Sequence, residues 1–131
     1  MHNSEKAIFP KGDRAPEEYF TAWVKMLVTA NDTFNTSVAN VTFEQGARNN
    51  WHTHPGGQIL IVTDGVGYYQ EKGKSMQLLH KGDVIKILPG VVHWHGASPD
   101  IEMTHLAINT NTQKGIVEWL QRVTDEEYSS K

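Results

Sequence analysis

The chain is punctuated into short runs of strand-forming residues, and that rhythm restricts it to a fold built from β-structure. From Ser37 to Glu44, Val38, Asn40 and Thr42 alternate with Ala39, Val41 and Phe43, the period-two pattern of a half-buried strand. Gln58 to Thr63 is a β-branched run. Gly65-Val-Gly67 then reads as a turn, and Val66 to Glu71 as a further strand leading to a tip at Lys72-Gly73-Lys74. Met76 to Leu79, Asp83 to Leu88 and Ile101 to Asn109 add strands, separated by Gly82-Asp83 and Pro89-Gly90. Phe20 to Val28 reads as a short turn followed by a strand, although Glu17-Glu18-Tyr19-Phe20 also suits the opening of a helix. Strands at this spacing indicate a sandwich or barrel and argue against βαβ units.

The tail has a different period. Asn111 or Thr112 can cap a helix, and Ile116, Val117, Trp119, Leu120 and Val123 follow at helical spacing. The spacing predicts one helix over about Gln113 to Val123, packed on the outside of the sheet, with Asp125 to Lys131 a frayed tail. No linker or low-complexity tract divides the chain, so its 131 residues read as a single domain with a barrel core over about residues 38–108.

Composition narrows the function classes. The formal net charge is −3 with 21% charged residues, which offers no basic patch for nucleic acid. The longest aliphatic run, Ile59-Leu60-Ile61-Val62, is far too short to span a bilayer. The segment Met1-His-Asn-Ser-Glu-Lys-Ala lacks the apolar stretch of a signal peptide, and a cytoplasmic location is the expectation. With no cysteine, disulfides and thiolate ligands are excluded; His, Asp, Glu, Gln and Asn remain for any metal.

The chemistry concentrates in two blocks. Residues i and i+2 of a strand share a face, so His52 pairs with His54, and His93 with His95. Two neutral imidazoles from one strand chelate a metal without strain. Taken alone, a His-x-His pair is more often a surface or hydrogen-bonded pair than a ligand set; the second block changes the balance. Pro55-Gly56-Gly57 lets the backbone bend before Gln58 enters the next strand.

Together these blocks resemble the two cupin signatures. Gly46, His52, His54, Gln58 and Gly65 fit the first, with Gln where Glu is usual; Gly82, Gly90 and His93 fit the second. Pro89 is displaced by one, Leu88 holding the usual proline position, and the usual later Asn is Ala97. The resemblance covers about Val38 to Ile108. It implies an all-β, single-domain jelly-roll barrel around an interior metal (Mn, Fe, Zn, Ni or Cu), frequently dimeric. Trp51-His-Thr-His-Pro, His93-Trp-His-Gly-Ala and Met103-Thr-His-Leu-Ala-Ile are closer to the small bacterial cupins that include manganese-dependent hydroxynitrile lyases. By position, that resemblance assigns the metal to His52, His54, Gln58 and His93, with Mn first and Fe, Zn or Ni as alternatives, and sets His105 beside the open coordination positions.

Gln58 has a physical consequence. A His₃Gln set adds no charge, so a divalent metal stays at about +2 and prefers anionic ligands. Other roles follow from strand parity. Met103, His105, Ala107 and Asn109 share a face, so His105 reads as a general acid or base or, equally, as a histidine bonded within the wall. His95 lines the pocket or serves a structural bond. Ala39, Val41 and Phe43 read as pocket wall or core. Asn49 and Arg48 lie toward the mouth, Arg48 as a surface ion pair. His80 is expected exposed and His2 unstructured. Trp51 and Trp94 have opposite parity to the ligands and are expected to pack outside the pocket or at a subunit interface. Three functions follow for a small-molecule substrate: a metal-dependent lyase breaking a C–C bond beside an oxygen, an Fe(II) dioxygenase, or a non-catalytic ligand-binding protein. A homodimer or higher homo-oligomer is expected.

Overall fold

A computed structural model describes residues 7–130. Ten strands carry it: β1 (Asp13–Arg14), β2 (Ala22–Val28), β3 (Ser37–Phe43), β4 (His52–Thr53), β5 (Gln58–Glu71), β6 (Gln77–His80), β7 (Val84–Ile87), β8 (His93–Ala97), β9 (Met103–Asn109) and β10 (Glu118–Trp119). Short 3-10 turns cover Glu17–Tyr19 and Thr112–Lys114, and one helix, α1, covers Asp125–Ser129. The strands form one curled antiparallel sheet in the order β1-β2-β3-β9-β5-β8-β4-β10, with β6 and β7 also paired to β5. The alternation read from Ser37 to Glu44 is β3, and the turn-then-strand reading of Phe20 to Val28 matches the 3-10 turn followed by β2.

The element that curls the sheet is β5. Its first half pairs with β7 and β9, its second half with β6 and β8. The register slips between Val62 and Asp64, and Gly65 follows at φ 78°. This corrects the expected turn at Gly65-Val-Gly67: the glycine sits at a bulge where one continuous strand passes from one sheet layer to the other. A Cβ at Gly65 would run into the Glu102 carbonyl, so the bend requires glycine there. Between the layers Phe43, Leu60, Val62, Tyr69, Leu79, Ile87 and Met103 form the main core.

The C-terminal region departs most from the sequence reading. No helix forms over Gln113 to Val123; the chain makes a 3-10 turn, passes Gly115 at φ 112° and lies extended as β10 beside β4. Two forces decide this. The edge of β4 has unpaired backbone groups, and the segment satisfies them: Leu120 N–H donates to the Trp51 carbonyl and Trp51 N–H to the Gln121 carbonyl. The side chains then alternate, Val117 and Trp119 half-buried and Ile116, Glu118 and Leu120 exposed. Helix forms instead in the expected frayed tail, started by a reciprocal capping box between Thr124 and Glu127. Its Tyr128 packs with Trp51, Trp94 and Val123 in a second cluster on the outer side of β4 and β8. That is the expected place for the two tryptophans, given their parity.

Candidate metal centre

β4 and β8 meet at one residue pair, His52 opposite His93. His54 follows β4 at the start of the Pro55-Gly56-Gly57 bend, and Gln58 opens β5. The ring centroids of His52 and His93 are 4.2 Å apart, those of His52 and His54 4.9 Å, and those of His54 and His93 5.4 Å. All three rings are buried, as is Gln58.

Each imidazole is oriented from outside. Nδ1 of His52 donates to the Asn50 carbonyl at 2.7 Å, that of His54 to the Ile116 carbonyl at 2.7 Å, and that of His93 to the Val91 carbonyl at 2.9 Å. A hydrogen on Nδ1 leaves a bare lone pair on Nε2. Gln58 is held the same way: its Nε2 donates to Asn109 Oδ1 at 3.0 Å, and Asn109 in turn donates to Ser37 Oγ at 3.2 Å. His54 Nε2, His93 Nε2 and Gln58 Oε1 are buried acceptors without a hydrogen-bond partner among the described residues. Such groups are costly unless something electropositive meets them.

Electrostatics point the same way. Burial drives His52 well below the ordinary imidazole value, aided by His93 and His54, and lowers His54. It takes His93 down to about 4. The rings are therefore neutral near pH 7, the state a metal ligand requires. One ring nitrogen from each of His52, His93 and His95 also falls within 4.8 Å of the others, so at least three imidazoles surround one point. A site able to bind a divalent transition metal is present.

Two more histidines face the same interior. His105 is fully buried on β9, opposite Val41 and Val62. Neither of its ring nitrogens has a well-aligned partner among the described residues, and burial, offset in part by the Leu106 backbone, lowers it to about 4. His95 lies edge-on to it with centroids 4.8 Å apart. Phe43 packs against both rings, and Val41 is buried beside it; Ala39 is half-buried against the same core. His80 is exposed, as expected, and His2 lies outside the described residues.

Two expectations are corrected. Arg48 is not a surface ion pair: its guanidinium is buried between the Phe20 and Tyr128 rings and donates to the Val123 carbonyl and Asp125 Oδ1. Asn49 is not at the mouth but 1% exposed, bonded to His95. Sequence reading also missed three supports: Asn109 behind Gln58, the Ile116 carbonyl behind His54, and Trp119, whose ring lies 4.9 Å from His52. Only the parity of β9 hinted at Asn109; the other two come from the misread tail.

A curled antiparallel sheet with inward imidazoles at one end defines a metal-binding β-barrel class, and the chain belongs to the cupin domain family, which it matches over residues 39–109. It is 47% identical over 117 residues to the (R)-mandelonitrile lyase of Granulicella tundricola, covering 88% of this chain and 89% of that enzyme. The crystal structure of a cupin-like protein from Thermotoga maritima superposes with a TM-score of 0.91 at 56% identity, covering 94% of this chain and 95% of the other. A more distant likeness, to the DMSP lyase DddQ of Ruegeria pomeroyi, has a TM-score of 0.67 at 17% identity, over 86% of this chain and 59% of that one, and concerns the fold alone.

Proposed function

We propose that the protein is a metal-dependent carbon–carbon lyase of the hydroxynitrile-lyase kind, with one divalent metal, manganese first, held by His52 Nε2, His54 Nε2, Gln58 Oε1 and His93 Nε2. The observation that carries this reading is the set of buried acceptors without partners, each turned inward because its other end is tied to a backbone carbonyl or to Asn109. The identity shared with (R)-mandelonitrile lyase supports the reaction type. When bound, the metal supplies a Lewis acid of undiminished charge for an oxygen next to the breaking bond.

The chain's own residues do the rest. His105, neutral at working pH, accepts the hydroxyl proton of a cyanohydrin at a ring nitrogen. As the C–C bond breaks, its electron pair leaves with cyanide and the hydroxyl carbon becomes a carbonyl. His105 then returns the proton to cyanide, so the products are an aldehyde and hydrogen cyanide and the protein is regenerated. Phe43 and Val41 supply apolar wall beside this ring and limit water there.

Assembly into a homodimer fits the outer face of the sheet. Val84 is exposed beside half-buried Ile61, and Val28 beside half-buried Val38, with half-buried Ile59, Leu106 and Ile108 in the strands between them.

The test is cyanide release from mandelonitrile by protein reconstituted with manganese. His105→Ala is expected to lower kcat by about a hundred- to ten-thousand-fold with metal content unchanged. No cyanide release from mandelonitrile or aliphatic cyanohydrins at full metal occupancy would refute the lyase reading. Oxygen consumption by the iron-loaded protein would then favour the dioxygenase alternative.

A further inference from the structure

Asn49 is a buried polar residue that neither binds the proposed metal nor moves a proton. Its side chain bonds one histidine twice. Oδ1 accepts the His95 backbone N–H at 2.9 Å, and Nδ2 lies 3.3 Å from His95 Nε2. The first bond fixes the orientation of the amide, because a flipped amide would set two N–H donors face to face. Nδ2 therefore points its hydrogens at His95 Nε2, which must accept. A neutral imidazole that accepts at Nε2 carries its hydrogen on Nδ1. His95 Nδ1 is buried and has no partner among the described residues.

Gly96 makes the arrangement possible. Arg48 bridges to Gly96, and a Cβ at position 96 would run into the Ala47 carbonyl and Arg48. Only a glycine lets the 47–49 segment lie this close to β8, with Asn49 against His95; the Asn49 N–H also donates to the His95 carbonyl at 3.1 Å.

We propose that Asn49 is a positioning residue that locks His95 as the Nδ1–H tautomer, making His95 a fixed hydrogen-bond donor to the reacting anion. The three ligand histidines have the same tautomer in the opposite sense. Their Nδ1–H groups face backbone carbonyls and their bare Nε2 atoms face inward; His95 shows its bare Nε2 to Asn49 and its hydrogen inward. This separates His95 from the ligands although one of its ring nitrogens lies within 4.8 Å of one from each of His52 and His93. A nitrogen that carries hydrogen cannot ligate, and the other is occupied by an amide. What the donor serves, cyanide or the substrate oxygen, rests on the lyase reading; the position of the hydrogen does not. Under that reading the two inner histidines divide the work, His105 accepting a proton and His95 donating a hydrogen bond.

The test uses the full chain loaded with zinc, which is diamagnetic, and long-range proton–nitrogen NMR of the imidazoles, with His95 assigned by comparison with His95→Gln. Wild type is expected to show His95 protonated at Nδ1 and bare at Nε2. A hydrogen on Nε2 in wild type overturns the proposal whether or not the protein is a lyase. In the near-isosteric Asn49→Asp, a carboxylate faces Nε2 and draws the hydrogen there; an unchanged tautomer would equally overturn the lock. Azide affinity of the manganese-loaded protein is expected to fall about tenfold or more in Asn49→Asp, in line with losing one hydrogen bond to a charged group. Undiminished azide binding would remove the donor role.

Discussion

Gln58 sets the charge of the proposed centre. Exchange for glutamate would add one negative charge and a stronger ligand at the same point. Gln58→Glu is expected to tighten metal binding by about tenfold while weakening capture of azide or cyanide, both read by titration of the metal-loaded protein; equal anion affinity would count against the Lewis-acid account. Asn109 tempers this substitution, since its Oδ1 now accepts from the Gln58 amide and would have to turn to face a carboxylate with its Nδ2. At this scale the sequence was legible wherever chemistry follows strand parity. His52, His54 and His93 come together as the two blocks suggested, and His105 does face inward from β9. The supports were illegible because their partners are remote in the chain: Asn49 meets His95 across 46 positions and His54 meets Ile116 across 62.

Among the elements, the strands were readable because each buries one face and the period is two. The tail was misread because Ile116 to Val123 satisfies a helical spacing and a strand spacing equally well, and the unpaired edge of β4 decided between them. That edge makes the C-terminal segment part of the centre. Trp119→Ala is expected to speed metal loss to a chelator several-fold with little change in overall fold. Helix α1 fastens the segment, and its cap is a weak point: Thr124→Ala should cost about 1 kcal/mol, read from denaturant unfolding. Glu127 adds a pH dependence. A hydrogen bond from the Thr124 backbone chiefly holds its carboxyl below the usual value; burial opposes it, and Trp51, the Thr124 side chain and the Lys72 charge add to the lowering. A depressed folded-state value means its contribution is present above the ordinary carboxylate range and fades as pH falls through the folded value. Trp51 fluorescence is expected to report release of α1 in acid, and Glu127→Gln to flatten that change.

For the whole molecule, burying several neutral imidazoles in one barrel makes stability depend on pH and metal together. His93 and His105 stand at about 4 in the fold against 6.5 for an ordinary histidine, both lowered chiefly by burial. The unfolded chain therefore binds more protons across that interval, and the metal-free protein should keep full stability above about pH 6.5 and lose it progressively as pH falls through 4. A Tm independent of pH over this range would show that these rings are not buried neutral. Metal stabilises the fold by mass action and should raise Tm.

The Ile116 carbonyl behind His54 has a further consequence, in time. During synthesis His54 leaves the ribosome 62 residues before Ile116, whose carbonyl orients its imidazole. Until that segment docks, His54 is free to turn, and a passing ion meets fewer fixed lone pairs. With His54 among the proposed ligands, a nascent chain is expected to compete poorly for metal and the finished chain well. On that reading the choice of ion would be deferred to the folded protein, where the geometry of the barrel, more than the affinity of loose histidines, would decide what is kept.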